Sequence, residues 1–386
     1  MTDTKRFISN MIDAVPPSGI RKFFDMVIGM DDVISLGVGE PDFVTPWHIR
    51  EACIYSLEKG FTSYTSNSGL IELREAISDS FHNDYGVDYN PEDQVLVTTG
   101  VSEAADLALR AIVNPGDEVI FHEPCYVSYK PGIIFAGGTP VTVSTSRENE
   151  FRLTGEQVEA AVTGKTKAII LSYPNNPTGA VMRKQDLEEV ADVAVEHDLL
   201  VISDEVYDKL TYNGKHTCFS SLNGMDERTI LLNGLSKSHA MTGLRIGYAM
   251  GPPSIISAML LIHQYTMLCA PITAQIGAIE ALKHGESEMQ SMVREYNRRR
   301  RLFVSGLNSL GLDCFEPKGA FYAFPSIQST GMTSTQFAED LLRQQKVAVV
   351  PGDVFGQSGT GYLRCSYASS LDELKTALER IEEFLN

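Results

Sequence analysis

Short apolar runs alternate with stretches of helical period through the middle of the chain. Residues 94–98, 118–121, 167–171, 199–203 and 229–232 are continuously or almost continuously apolar, the pattern of strands buried on both faces. Between them, 102–113 places Leu107, Ala108, Ala111 and Ile112 on one side, and 184–197 is also helical in period. Such alternation predicts a parallel sheet covered by helices on both faces. Ahead of this series, 33–36 reads as a strand and 46–59 and 70–84 as helices, with a polar, glycine-punctuated loop at 61–69 between the two helices. Residues 1–30 read as an irregular arm with a short amphipathic piece at 20–28. Past Gly285 the pattern changes. A long charged helix is expected over 286–310, strands at 315–327, 347–350 and 361–367, and a capping box, Ser370-Leu-Asp-Glu373, opens the last helix. This second unit reads as α+β, with the N-terminal arm packed against it. The apolar region 255–282 is interrupted by His263, Gln264, Pro271 and Gln275, so it reads as buried helices rather than a membrane span.

A chain of 386 residues exceeds the size at which one core keeps growing, so two domains are expected. The net charge of −18 disfavours nucleic acid and anionic membrane surfaces as partners. The run Arg298-Arg-Arg-Arg301 therefore reads as a solvated helix face. The six cysteines are scattered without a C-x-x-C pair, so neither a disulfide framework nor a zinc site is expected, and no metal site is assigned. Met1 to Arg6 lacks the apolar core of a signal peptide, and free thiols in a cytoplasmic protein are the expectation.

Polar residues gather where the predicted strands end. Parallel sheets bind ligands at their carboxyl edge, and five strand ends point there. The 229–232 run leads into Asn233-Gly-Leu-Ser-Lys-Ser-His-Ala-Met-Thr-Gly-Leu-Arg-Ile-Gly247. A lysine among small residues at a strand end, sheltered from water, loses its proton more easily and attacks carbonyls. Arg245, eight residues on, offers a planar fork to a phosphate and lowers the pKa of Lys237 further. Taken alone, Lys237 also reads as a surface lysine in a loop. Gly100, before the 102–113 helix, permits close backbone approach to a phosphate at the helix start, or is simply a turn. Ser236 and Arg245 add a hydroxyl and a charge to the same phosphate. Tyr126 suits stacking on an aromatic ring, or the rim of a core. Asp204 ends the most apolar strand and needs a partner there, either a protonated ring nitrogen or the next turn's backbone. Asn176 and Tyr207 can donate to a phenolate oxygen, although Asn176-Pro-Thr-Gly179 is also a plain turn sequence. Together these parts describe one ligand, pyridoxal 5′-phosphate (PLP), with Lys237 holding it as a Schiff base and Asp204 keeping its ring an electron sink.

The chain resembles fold-type I, class I/II PLP-dependent aminotransferases, in the subgroup of prokaryotic aspartate and aromatic aminotransferases. The lysine signature, Gly234 to Gly247, carries the likeness. Gly39-Glu-Pro-Asp-Phe43, Tyr64 to Arg74, Asn176-Pro-Thr-Gly179, Asp204-Glu-Val-Tyr207 and Gly319-Ala-Phe-Tyr322 support it in the same order. The resemblance implies an α/β fold: a large domain with a mostly parallel seven-stranded sheet between helices, plus a smaller α+β domain. It implies an arm at 1–45, a large PLP-binding domain at 46–285 and a small C-terminal domain at 286–386. Lys237 is then the Schiff-base and proton-transfer lysine. Asp204 pairs the ring nitrogen, Asn176 and Tyr207 hold the ring oxygen, and Tyr126 stacks on the ring. Gly100, Val101, Ser102, Ser236 and Arg245 serve the phosphate. Tyr64 would reach the phosphate of a neighbouring subunit, implying a homodimer with shared sites. Arg364 would clamp the substrate α-carboxylate, assisted by the Gly39 backbone and Asn176. The implied reaction moves an amino group from an L-amino acid, aspartate or aromatic, to a 2-oxo acid such as 2-oxoglutarate, in ping-pong order. Gly234 stands where the family often has serine, and Ser102 where some aspartate-preferring relatives carry a lysine. A PLP-dependent β-C–S lyase on the same scaffold and a non-enzymatic PLP-sensing regulator are the alternatives.

Overall fold

The apolar runs form the middle of a seven-stranded sheet in the computed structural model, which describes residues 4–17, 19–20, 27 and 29–386. The amphipathic piece at 20–28 lies mostly outside the described residues. The strands are β1 (Ile34–Ser35), β2 (Val95–Thr98), β3 (Glu118–Glu123), β4 (Thr139–Ser144), β5 (Thr166–Ser172) and β6 (Leu200–Asp204), followed by β7 (Thr229–Gly234) and β8 (Gly247–Met250). Near the C-terminus come β9 (Tyr322–Ala323), β10 (Val347–Ala348), β11 (Val350–Pro351) and β12 (Leu363–Ser366). The large sheet has the order β2-β8-β7-β6-β5-β3-β4. Only β8 runs against its neighbours.

Alternation along the strands explains why they are apolar throughout. Ala168, Ile170, Ile202 and Leu232 pack on one face with Leu107 and Met259 from helices Val101–Ile112 and Pro253–Thr266. Ile169, Leu171 and Val201 pack on the other with Val190 and Ala194 from helix Lys184–Glu196. Each fully buried aliphatic side chain contributes about 1.5–3 kcal/mol, so neither face tolerates a polar residue until the strands end. Register then aligns those ends: Ser172 faces Asp204, and Asp204 faces Leu232. The polar residues that follow are thereby brought to one edge of the sheet.

Several expectations need correction. β4 has no continuous apolar run and that of β8 is only three residues long, so the residue pattern predicts neither. β4 is a partly exposed edge strand and β8 follows directly on the lysine loop. The strand expected at 315–327 reduces to β9, because the chain turns at Ala320, where φ is 54°, just after Gly319 packs closely on another segment. A Cβ on Gly319 would lie 2.5 Å from the Cβ of Pro174. The run 347–350 divides between two sheets. β10 pairs in parallel with β1, joining the N-terminal segment to the C-terminal part of the chain, whereas β11 pairs with β12. The arginine run is not a solvated face. Helix Glu286–Ser309 buries Arg299 and Arg300. Arg299 pairs with Asp42 and Glu295, and Arg300 with Glu316 and the Pro317 carbonyl. The capping box at Ser370 forms as expected, with both reciprocal hydrogen bonds present.

Candidate active site

Lys237 sits in a four-residue helix, Leu235–Ser238, that follows β7 directly. Gly234 makes this junction possible. A Cβ at this position would lie 2.9 Å from the Ile246 carbonyl oxygen and 3.1 Å from Val101 Cγ2. The missing side chain lets β7 approach both β8 and the start of helix Val101–Ile112. The Lys237 Nζ donates to the Gly39 carbonyl at 2.6 Å. Burial pushes its pKa down to about 8. Glu40 and Asp204 oppose this, while Arg364 and Arg245 push the same way. The rings of Tyr207 and Phe321 each lie 5.8 Å from Nζ. The lysine is thus sheltered, and its amine is easier to deprotonate than an exposed one.

Asp204 is buried at the end of β6. Its Oδ2 accepts from the Tyr129 hydroxyl at 2.7 Å and its Oδ1 from the Val206 N–H at 3.2 Å. Burial raises the carboxyl pKa, and those two donors work against the rise. Both readings of Asp204 therefore have a footing: it stabilises its own turn and remains a buried carboxylate. Tyr129 was missed by sequence reasoning. Its only signal is the spacing Tyr126-x-x-Tyr129 after β3, which places the two rings edge to face at 5.8 Å.

Arg364, on β12, is almost wholly buried. One Nη donates to Asn176 Oδ1 at 3.0 Å and the other to the Gly37 carbonyl. Its Nε is buried and has no partner among the described residues. The guanidinium lies between the rings of Tyr322 and Phe355, at 4.7 and 4.9 Å. Because Asn176 turns its Oδ1 to Arg364, its amide N–H groups face elsewhere and are free to donate. Tyr207 is buried, and its hydroxyl meets that of Tyr322 at 2.8 Å.

Gly100 caps helix Val101–Ile112 with φ 79°, a conformation that favours glycine. A Cβ there would lie 2.6 Å from Arg245 Nη2. Arg245 is exposed and donates to the Thr242 carbonyl at 3.1 Å. Ser236 is buried in the same short helix as Lys237, Val101 is half-buried and Ser102 is exposed at the helix start. Tyr126 is half-buried. The chain therefore gathers Lys237, Asp204, Asn176, Tyr207, Gly39 and Arg364 into one cleft, with Gly100 and Arg245 together beside it. Tyr64 stands apart, 82% exposed.

Comparisons with known proteins bear on the family and the fold. A family model described as "Aminotransferase class I and II" matches residues 31–381. A Bacillus subtilis (strain 168) protein named only as an aminotransferase, YugH, is 54% identical over 98% of this chain and 98% of its own length. An aspartate aminotransferase of Pyrococcus abyssi is 48% identical, again over 98% of each chain. The solved structure of an aromatic aminotransferase from Pyrococcus horikoshii OT3 superposes with a TM-score of 0.90 at 46% identity, covering 95% of this chain and 98% of that one.

Proposed function

The chain belongs to the class I and II aminotransferases, and from that premise we propose that it is a PLP enzyme moving the amino group of aspartate or an aromatic amino acid to a 2-oxo acid such as 2-oxoglutarate. The observation that carries the reading is the placement of the Lys237 amine at the end of β7, on the Gly39 carbonyl and near the rings of Tyr207 and Phe321, where burial lowers its pKa. The cofactor fits the donor set. Gly100 leaves a cradle beside Arg245 that a Cβ would fill, and Asp204 is a buried carboxylate with no cationic side chain bonded to it among the described residues. When bound, PLP supplies an aldehyde that captures the amine and a protonated ring that takes up the electrons of the Cα–H bond.

The chain's own residues do the rest. Asp204, with Tyr129 and the Val206 N–H on its oxygens, keeps the proton on the ring nitrogen. The Asn176 amide and the Tyr207 hydroxyl donate to the ring oxygen. The N–H groups after Gly100, with Ser102, Ser236 and Arg245, take the phosphate at a helix start. Arg364 receives the substrate α-carboxylate, and its Nε, which has no partner among the described residues, supplies a further donor. Lys237, as the free amine, takes the Cα proton. Tyr126 covers one face of the ring. Residues 46–285 form the cofactor-binding unit, and 286–386 with the first 45 residues bring Arg364 and Gly39 against it.

The site is shared between two copies of the chain. Supporting this, Tyr64 is exposed, as are Phe61, Trp47, Ile54 and Tyr55, and the last three line a groove of about 550 Å³ together with His48, Glu51, Glu58 and Glu280. Exposed aromatic residues among charged ones are the composition of many interfaces. Ser102 brings no positive charge for a second carboxylate, which weighs against a strict preference for aspartate. No helix among the described residues is long and apolar enough to cross a membrane, and a cytoplasmic location fits the six free thiols. The deciding experiment mixes the holoenzyme with an amino acid, with and without 2-oxoglutarate. Glutamate formed only with the acceptor supports the reading, and pyruvate with ammonia in its absence would make the chain a lyase.

A further inference from the structure

Tyr322 has no role in the scheme above, yet it touches three parts of the cleft. Strand β9 pairs with β12, bringing Tyr322 opposite Ser366 and close to Arg364. The Arg364 guanidinium lies 4.7 Å from the centre of the Tyr322 ring, and Tyr322 is fully buried. Its hydroxyl lies 2.8 Å from that of Tyr207. A Cβ on Gly39 would stand 2.5 Å from the same oxygen, so the glycine leaves just enough room for it. The hydroxyl is held in place on each of these sides.

A phenol has one proton to donate. If Tyr207 donates its proton to the cofactor's ring oxygen, its own oxygen is left to accept. The hydroxyl that meets it is that of Tyr322. We infer that Tyr322 is a positioning residue that donates to the Tyr207 oxygen and so aims the Tyr207 proton at the ring oxygen. This rests on the reading that Tyr207 meets that oxygen. Successive hydrogen bonds polarise one another, so the chain Tyr322 to Tyr207 to ring oxygen is stronger than Tyr207 alone.

The test uses PLP-loaded enzyme without substrate. It follows the pH midpoint at which the bound cofactor's visible absorbance changes. A donor on the ring oxygen favours the deprotonated form, which carries more negative charge there. Losing the donor therefore raises the midpoint. Tyr207→Phe should raise it by about 1–2 pH units, the size of one donor to a charged oxygen. Tyr322→Phe, which keeps the ring under Arg364, should raise it by about 0.3 unit, the size of a cooperative contribution. The double variant should match Tyr207→Phe, because Tyr322 acts through Tyr207. Succinate binding should stay within about twofold in Tyr322→Phe, since the Arg364 contact is with the ring face. An unmoved midpoint in Tyr322→Phe, or a shift that adds in full to that of Tyr207→Phe, overturns the inference and leaves the reading of Tyr207 intact. An unmoved midpoint in Tyr207→Phe sinks that reading and this inference with it.

Discussion

The buried lysine has a measurable consequence of its own. Its amine titrates at about 8 in the fold against 10.5 in an unfolded chain. Between those values the unfolded chain binds more protons, so stability rises with pH across that window. Below it the cost of the buried charge is felt in full, at about 3 kcal/mol. Cofactor-free Lys237→Met should therefore melt higher than the parent near about pH 7, and the gap should shrink toward about pH 10. A gap that does not vary with pH would mean that the amine is not sheltered. Beside it, Tyr129→Phe removes one of the two hydrogen bonds to the Asp204 carboxylate. Donors to charged groups are worth about 1.5–3 kcal/mol, and part of that loss should appear as about a tenfold fall in kcat with little change in KM for the amino acid. Lys237, Asp204 and Asn176 could be singled out in the sequence because each lies at or within a few residues of the end of an apolar strand, the edge where parallel sheets place ligands. Tyr129 and Tyr322 could not, because their partners come from other strands and are known only once the sheet is assembled.

At the scale of elements, strands were legible wherever both faces are buried. The edge strand β4 and the antiparallel β8 were not, because a polar edge and a short Gly-Tyr-Ala-Met segment carry no distinct period. The helix Glu286–Ser309 shows the limit of charge patterning. Its four successive arginines point in different directions, and helical geometry turns two of them inward. Arg300 is 2% exposed, whereas the side chain of Arg298 is 69% exposed. Arg300→Ala should cost about 2–3 kcal/mol in chemical denaturation, because it empties a buried site and removes the donor to the Pro317 carbonyl. Arg298→Ala should stay within about 0.5 kcal/mol. Equal effects would restore the solvated-face reading. Gly100 is the corresponding test at a helix start. Gly100→Ala combines a left-handed φ with a collision against Arg245, and it should weaken PLP binding about tenfold or more, read by equilibrium titration, while the folded content by circular dichroism is retained.

At the scale of the whole molecule, the N-terminal segment carries Gly37 and Gly39 across to Arg364 and Lys237, and β1 ties it to β10. The cleft is therefore assembled from both ends of the sequence, which no single motif reveals. A dimer is predicted because the exposed Tyr64 would complete the site of a second copy. Light scattering should give about twice the chain mass of 42.4 kDa, and Tyr64→Phe should weaken PLP binding without altering that mass. A monomer with full activity would contradict the shared site.

The most direct test is a single-turnover comparison of the parent enzyme with Lys237→Ala. Both are loaded with PLP, mixed with aspartate or phenylalanine, and then given 2-oxoglutarate while the cofactor's absorbance is followed. The account predicts that the parent's absorbance is lost with the amino acid and restored with one glutamate per site, and that Lys237→Ala is slower by about 10²–10⁴-fold. An alanine variant that turns over at the parent's rate would contradict it.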